Sequence, residues 1–278
     1  MIFSNAFLFN AFLAAILASF ASGMIGSYVV TKRVVFLSGS IAHSVLGMMG
    51  FFVYLERVYA FSWATPLLGA LLGSILSSLI IGFVSLRFQE RQDALIASVW
   101  SIGMATGVLF LSATPGYNTD LLNFLFGNLL WTTQSDLWIL FALDIALFFT
   151  ISAFYRPFLV ICFDERQARL KGLRTEFWYL FLLVLIGISI VLLIQVMGIV
   201  LVMALLSLPA MLASLFTRTF FAMMLVSSLC ALACSTLGIV ASYELNFPTG
   251  STIALVTAIA YTTGLFLQRK VFSKKTNN

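Results

Sequence analysis

The amino-acid sequence consists mostly of apolar runs of about twenty residues, and charged or turn residues separate each run from the next. A helix of that length spans the hydrocarbon core of a bilayer, whereas barrel strands are shorter and alternate in polarity. Hydrophobic residues make up 62% of the chain, above the roughly 45–50% of soluble domains. We therefore predict an all-α polytopic membrane protein, a single transmembrane domain over residues 1–278 with eight or nine spanning helices. The runs cover residues 6–30, 36–55, 65–86, 94–113, 136–155, 177–196, 198–217, 220–243 and 251–268.

Basic residues accumulate at alternate connections between these runs. Of the 15 lysines and arginines, all except Arg57 follow the first, third, fifth, seventh or last run. Cytoplasmic loops of membrane proteins carry an excess of Lys and Arg. The sequence therefore predicts that the N-terminus lies outside and the C-terminus in the cytoplasm.

Two segments leave the number of spans open. The apolar stretch 177–217 is divided only by residues 195–198, so it is either a tight hairpin or an irregular pair of helices. The segment LLNFLFGNLLWTT (121–133) is too short to cross a bilayer. We expect it to form a short re-entrant or interfacial helix, which is tolerated at depth where protein or water covers its ends.

The highest density of charge lies between Asp164 and Glu176, where seven of thirteen residues are charged in a chain with only 9% charged residues. A connection that merely joined two spans could be short and irregular. An ordered helix in this charged connection would therefore indicate a contact with something outside the bundle. From these residues alone, the segment either docks on a partner protein or lies on anionic lipid headgroups.

The same stretch carries the signals that begin and end a helix. Asp164 is a favourable N-cap, and Gln167 three positions later completes a capping-box pattern. Glu165 complements the helix dipole in the first turn, and Gly172 is of the type that commonly ends a helix. The sequence predicts a short, rigid cytoplasmic helix over residues 165–171.

Two ionisable residues within the apolar runs are candidates for chemistry. His43 is the only histidine of the chain, and imidazole suits zinc, manganese and iron. The alternative is a neutral histidine that hydrogen-bonds to the backbone or to Ser44. Asp144 lies in the middle of the fifth run, where an ionised carboxylate facing lipid costs about 2.5–3.5 kcal/mol. We expect Asp144 to face the bundle, a dimer interface or a water-filled path, with a role either on a metal path or in a structural hydrogen bond.

Proline and paired glycines indicate where helices bend or approach closely. Pro209 interrupts the seventh run and frees a backbone carbonyl, which predicts a kink or a hinge. Gly69 and Gly73, like Gly103 and Gly107, are four residues apart and allow close helix packing.

Other polar side chains have simpler interpretations. We expect Asp93 to cap the fourth helix, and Asp120 and Glu244 to be solvated charges on the outer side. Cys230 and Cys234 share a helical face, where small core residues are a better interpretation than ligands of a soft metal.

Several stretches, in order from about residue 10 to 268, resemble the permease subunits of bacterial ABC importers for zinc, manganese and iron (ABC-3 type). The likeness includes a first cytoplasmic turn before a helix with a histidine, a charged cytoplasmic loop, and a glycine-rich helix with a central proline. The stretches are VVTKRVVFLSGSIAHSVLG (29–47), RQDALIASVWSIGMATGVLFLS (91–112), LLNFLFGNLLWTTQSDL (121–137), FDERQARLKGL (163–173), MGIVLVMALLSLPAMLASLFTR (197–218) and SYELNFPTGSTIAL (242–255).

The resemblance implies a complex located in the bacterial cytoplasmic membrane. The segment 163–173 falls where the family's coupling helix contacts an ABC ATPase. The other implied partners are a second copy of the permease and an extracytoplasmic metal-binding protein. No GxxxxGK[ST] phosphate loop occurs in the chain, so ATP would be hydrolysed by the partner, and this chain would bind no cofactor. The coupling residues implied are Asp164, Glu165, Arg166, Ala168, Arg169 and Gly172.

The chain departs from the family at two positions near its candidate metal path. His43 matches the family histidine, which implies a weak transit site for the metal. Family members often carry an acidic residue four positions earlier, where this chain has Gly39, and some zinc permeases have a histidine near Ser101. These departures leave the choice among zinc, manganese and iron open.

Two other classes of function compete with the permease interpretation. An integral-membrane enzyme needs paired catalytic groups, and the chain has one deep aspartate, one histidine and no H-E-x-x-H motif. A secondary transporter that works alone is expected to show inverted repeats and several intramembrane charges. Neither pattern is evident, and co-purification with an ATPase distinguishes the permease from both.

Overall fold

The structure is a computed structural model that describes residues 6–88, 92–115, 127 and 129–275. In these ranges the protein is all-helical, as the sequence predicts, and has no β-strand. Of the helices in the described ranges, nine are long and apolar enough to cross a membrane, namely α1–α5 and α8–α11. The helices are α1 (Ala6–Thr31), α2 (Val35–Tyr59), α3 (Pro66–Arg87), α4 (Gln92–Ala113), α5 (Gln134–Ala153), α6 (Tyr155–Phe163), α7 (Glu165–Leu170), α8 (Thr175–Met197), α9 (Ile199–Phe216), α10 (Phe220–Leu245) and α11 (Thr249–Lys275).

Local sequence explains where several of these helices begin and end. The Thr65 hydroxyl accepts a hydrogen bond from the Leu68 N–H at 3.3 Å, and the Thr219 hydroxyl accepts one from the Ala222 N–H at 3.3 Å. Each hydroxyl satisfies one of the N–H groups that have no partner inside the helix. Asn246, with a φ of 55°, ends α10 in the left-handed conformation.

The stretch 177–217 forms two separate helices. Gly198 lies between α8 and α9 with a φ of 78° and a ψ of 161°, a conformation that side chains disfavour. A single glycine makes the whole connection, so the break lies within residues 195–198 as predicted, and the choice between a tight hairpin and an irregular pair stays a prediction.

Most of the segment 121–133 lies outside the described residues, and so does the re-entrant or interfacial helix predicted for it. Its described part includes a single 3-10 turn at Leu129–Trp131. Gly127, with a φ of 59°, packs so closely on Met197 that a Cβ atom would lie 2.1 Å from the Met197 carbonyl carbon. The Asn10 side-chain amide donates to the Thr132 carbonyl at 3.3 Å. These contacts attach the described end of the segment to helix termini.

The described helices group into two compact units, and whether the two act as the single predicted domain stays a prediction. The first unit comprises Met1–Thr31, Asn123–Phe149 and Val196–Asn278. In it α1 packs on α9 and α10, and α11 packs on both of these. Close approach occurs at Gly26, where a Cβ atom would lie 2.2 Å from the Leu206 carbonyl oxygen.

The second unit comprises Lys32–Leu122 and Thr150–Gln195. Its helix α2 packs on α3 and on α4, and the paired glycines of the sequence analysis make these contacts. Gly69 and Gly73 face α2 from α3, while Gly103 and Gly107 face it from α4. A Cβ atom on Gly103 would lie 2.4 Å from the Cα atom of Ser44, closer than real Cβ atoms come.

Candidate functional site

Helix α7, in the second unit, begins at the predicted cap. The Asp164 carboxylate accepts a hydrogen bond from the Gln167 N–H at 2.9 Å. The other half of the predicted capping box is not formed, because the Asp164 N–H donates to the Val160 carbonyl at 2.8 Å. Asp164 therefore ends α6 with its backbone and begins α7 with its side chain.

The C-terminal end of α7 agrees with the prediction to within one residue. The helix ends at Leu170, whereas the prediction extended it to Lys171. Gly172 has a φ of 76°, and the Leu173 N–H donates to the Ala168 carbonyl at 3.1 Å. With the Gly172 N–H donating to the Arg169 carbonyl at 3.0 Å, these bonds form a Schellman motif. Lys171 is the C-cap residue of that motif and therefore lies just beyond the last helical residue.

The two faces of α7 differ in exposure. Ala168 is fully buried and holds the helix against the protein. Arg166 and Arg169 are exposed, and Leu170 is 88% exposed. An apolar side chain beside exposed guanidinium groups, on a helix capped at both ends, presents a rigid surface with mixed chemistry.

The first turn of α7 pairs with a residue that the sequence analysis used only for membrane orientation. The Lys32 ammonium group forms an ion pair with the Glu165 carboxylate and donates a hydrogen bond to the Ile161 carbonyl at 3.0 Å. It also lies 5.3 Å from the centre of the Tyr179 ring. At the other end of α7, the Arg169 side chain donates to the Thr175 hydroxyl at 3.1 Å.

A polar cavity of about 280 Å³ lies beside this ion pair. Its lining comes from the α1–α2 turn, the end of α3, the start of α4, α7 and the start of α8. These are connections that the sequence predicts on one side of the membrane, and the second unit brings them together. Burial beside the cavity raises the pKa of the Cys162 thiol to about 12, with smaller opposing effects of Lys32 and Glu165.

His43 lies on α2 against α4 in the same unit. Its ring stacks on that of Trp100, with centroids 4.7 Å apart and an angle of 9° between the planes. The indole N–H of Trp100 donates to the Met104 sulfur at 2.9 Å. Nδ1 of His43 is buried and has no hydrogen-bond partner in the described part of the chain. The Ser44 hydroxyl donates to the Ile41 carbonyl at 3.1 Å, so it donates no proton to the imidazole.

The surroundings of His43 contain few other ligands. Gly39 is buried one helical turn before it, and Ser101 is exposed on α4. Among the described residues, no three His, Cys, Asp or Glu side chains are close enough to hold a metal ion together. The arrangement therefore provides a single imidazole rather than the several ligands of a tight metal site.

Asp144 and Pro209 lie in the first unit. Asp144 is in the middle of α5, is only 6% exposed, and lies beside the Ala21 backbone, so it faces protein as predicted. One of its carboxyl oxygens is buried and lacks a hydrogen-bond partner in the described ranges. Pro209 lies buried inside α9, and the helix continues through it.

The remaining candidates behave as ordinary side chains. Asp93 lies in the first turn of α4 and lines the polar cavity, so it is not itself the cap that we predicted. Glu244 is exposed and Cys234 is buried, while Cys230 is partly exposed. Asp120 lies outside the described residues.

Sequence reasoning missed Lys32 and Trp100 as site residues. Lys32 was one basic residue among many, and its partners follow it by about 130 positions along the chain. Trp100 lies within one of the stretches that carry the resemblance, but the resemblance assigns it no role. One sequence signal could have identified Trp100. It lies three positions before Gly103, so the two residues share one face of the helix.

Comparison with known proteins identifies the family. The model of the ABC 3 transport family matches residues 4–268. A probable metal transport system membrane protein of Chlamydia muridarum is 43% identical over 94% of this chain and 89% of its own length. The manganese transport system membrane protein MntC of Listeria monocytogenes is 31% identical over 97% of this chain and 94% of its own.

A solved structure agrees with these sequence relationships. PsaBC from Streptococcus pneumoniae, solved in complex with Fab, matches with a TM-score of 0.84 at 27% identity, covering 98% of this chain and 97% of the other. The likeness thus extends over the fold as well as the sequence. The chain is a multi-pass membrane protein that belongs to the ABC 3 transport family of metal transporter permeases.

Proposed function

We propose that the chain is the membrane-spanning subunit of an ATP-driven importer for a divalent transition metal. Manganese is the cargo named for MntC, and zinc and iron(II) are the alternatives that imidazole chemistry allows. The permease itself hydrolyses nothing in this proposal. A separate ATPase supplies the energy, and an extracytoplasmic binding protein delivers the metal.

The observation that carries the proposal is helix α7. A six-residue helix is marginal by itself, yet this one is capped at both ends, and side-chain bonds attach its start to the α1–α2 turn and its end to the start of α8. Its outward surface combines Leu170 with exposed Arg166 and Arg169. Such a surface suits docking in a cleft of a partner protein better than lying on lipid, because lipid binding requires a broad apolar face.

The metal path in this proposal includes His43 and Asp144. Each lies within a predicted span, and each has a buried polar atom without a hydrogen-bond partner in the described ranges. A lone imidazole and a lone carboxylate bind a divalent ion weakly, which favours release as much as capture. Pro209 is the hinge that we propose within α9, because its ring removes one backbone hydrogen bond of the helix.

A second copy of the permease is the membrane partner that we propose. The side of α4 away from α2 is exposed and bears the small residues Ala97, Ser101 and Ala105. Small residues allow two helices to approach closely in a bilayer. The distribution of basic residues supports an N-terminus outside and a C-terminus in the cytoplasm.

Reconstitution tests the proposal. The permease, its co-purified ATPase and the binding protein are placed in proteoliposomes, and the uptake of Mn²⁺, Zn²⁺ and Fe²⁺ is measured with ATP and with a non-hydrolysable analogue. We expect uptake of at least one of these metals with ATP only. Uptake without ATP, or uptake driven by a proton gradient, would contradict the proposal and favour a secondary transporter.

A further inference from the structure

We propose that Lys32 is a positioning residue that fastens the start of α7 to the α1–α2 turn, so that movement of α7 reaches α2. The inference deepens the proposed function and rests on it for the role of α7. Lys32 precedes the first residue of α2 by three positions. It is the only residue of that turn for which the structure gives a polar side-chain contact to the α6–α7 connection within the described ranges.

The need for a cation at this point follows from the break between α6 and α7. The last carbonyl groups of a helix have no partner within it, and Ile161 lies in the last turn of α6. The chain changes direction at Asp164, with a φ of −150° and a ψ of 87°. One ammonium group satisfies the Ile161 carbonyl on one side of the break and the Glu165 carboxylate on the other. Lys32 thus holds two helices at their shared joint.

The backbone of the turn directs Lys32 inwards. Arg33, the next residue, has a φ of 61°, a left-handed conformation that is uncommon for residues other than glycine. Arg33 is exposed, whereas the Lys32 side chain is 15% exposed and lies over the Tyr179 ring. The Tyr179 hydroxyl in turn donates to the Ser85 hydroxyl at 3.3 Å. Lys32 therefore contacts the α6–α7 joint and α8 together, and α8 contacts the end of α3.

The link leads towards the candidate metal path. His43 lies eight residues into α2, about 12 Å from its start at 1.5 Å per residue. Because α2 and α4 are in backbone contact at their glycines, α2 is expected to move as a rigid body with α4. A displacement of α7 that pulls Lys32 would thus act on the helix pair that holds His43. Physical intermediacy alone does not establish coupling, so the test must measure it.

The first measurement uses the purified permease alone. Amide hydrogen exchange over residues 165–173 is compared in the wild type, Lys32→Gln and Arg33→Gln. We expect exchange in that segment to become at least tenfold faster in Lys32→Gln, and to stay within twofold of the wild type in Arg33→Gln, which removes the same charge one residue away. Equal exchange in the wild type and Lys32→Gln would overturn the inference, whatever the protein transports.

The second measurement uses the full complex in proteoliposomes. We expect Lys32→Gln to lower metal uptake per ATP hydrolysed at least fivefold, with Lys32→Arg restoring most of it and Arg33→Gln unchanged. Glu165→Gln should lower the ratio as well, and the double variant should be no worse than Lys32→Gln, because both changes remove one interaction. The inference would be overturned if the effects of the two single variants multiplied in the double variant. It would also be overturned if metal uptake per ATP were unchanged in Lys32→Gln. If the wild type shows no ATP-dependent uptake, the proposed function fails, and hydrogen exchange still decides whether Lys32 positions α7.

Discussion

Around His43, helices α2 and α4 meet through glycine, whereas α7 is held to the same unit by polar side chains. At the first contact, Gly103 approaches Ser44 so closely that a Cβ atom would lie 2.4 Å from a backbone atom. At the second, an ion pair and single hydrogen bonds fasten the ends of a short helix. Close backbone packing has few alternative arrangements, while polar links can break and form again. From this difference we infer a stiff part around the proposed metal path and a part that the proposed ATPase could move.

The largest effect is expected from a side chain inserted into the glycine contact. Gly103→Leu places several atoms where the α2 backbone lies, and overpacking of this kind costs about 1–3 kcal/mol or more. We expect loss of folded protein, measured as recovery of a monodisperse peak in size-exclusion chromatography. The control is Ala233→Leu, which adds three of the same four side-chain carbons at an exposed position of α10. If Gly103→Leu folds like the control, the stiff contact inferred here is absent.

Breaking α7 should abolish transport while leaving the fold intact. Ala168→Pro removes the hydrogen bond from the Ala168 N–H to the Asp164 carbonyl, and proline in a helix interior costs about 3 kcal/mol. We expect ATP-dependent uptake to fall at least tenfold, with the thermal unfolding midpoint of the detergent-solubilised protein little changed. Ala168→Gly, which costs about 1 kcal/mol, should give an intermediate loss. Full uptake by Ala168→Pro would show that transport needs no contact between a partner protein and this helix.

Removing the imidazole should reduce uptake without altering the helix packing. His43→Ala takes away the only histidine, and losing a metal-site group costs roughly tenfold or more. We expect a decrease of about tenfold in metal uptake at unchanged ATPase activity. The matched control, Ser112→Ala, changes an exposed side chain near the end of α4 and should transport like the wild type. An unchanged rate in His43→Ala would remove the imidazole from the metal path.

The smallest effect is expected at the cap of α7. Asp164→Ala loses the hydrogen bond to the Gln167 N–H, and such a loss costs about 1 kcal/mol. We expect uptake per ATP to fall about two- to fivefold, because α7 remains attached through Lys32 and Arg169. Asp164→Asn retains a capping oxygen and should behave like the wild type. If Asp164→Ala and Asp164→Asn transport equally poorly, transport depends on the negative charge of Asp164 rather than on its capping hydrogen bond.

The sequence predicted the features that depend on neighbouring residues. The spans follow from runs of apolar residues, and the ends of α7 follow from Asp164 and Gly172, whose effects reach only three or four positions. The capping box was half wrong because the Asp164 N–H belongs to α6, and the sequence analysis did not predict a helix there. The structure locates His43, Asp144 and Pro209 in their helices, and their roles stay predictions.

Local chemistry by itself therefore determined that this chain is a helical membrane protein with a capped, charged helix in one connection. The lipid around the protein determines the helical fold, because it requires every backbone polar group to be satisfied within its own helix. Only the tertiary structure decided that Lys32 meets Glu165 and that Trp100 covers His43. These pairs are separated by 133 and 57 positions in the chain, so no local pattern records them, and packing alone brings their side chains together.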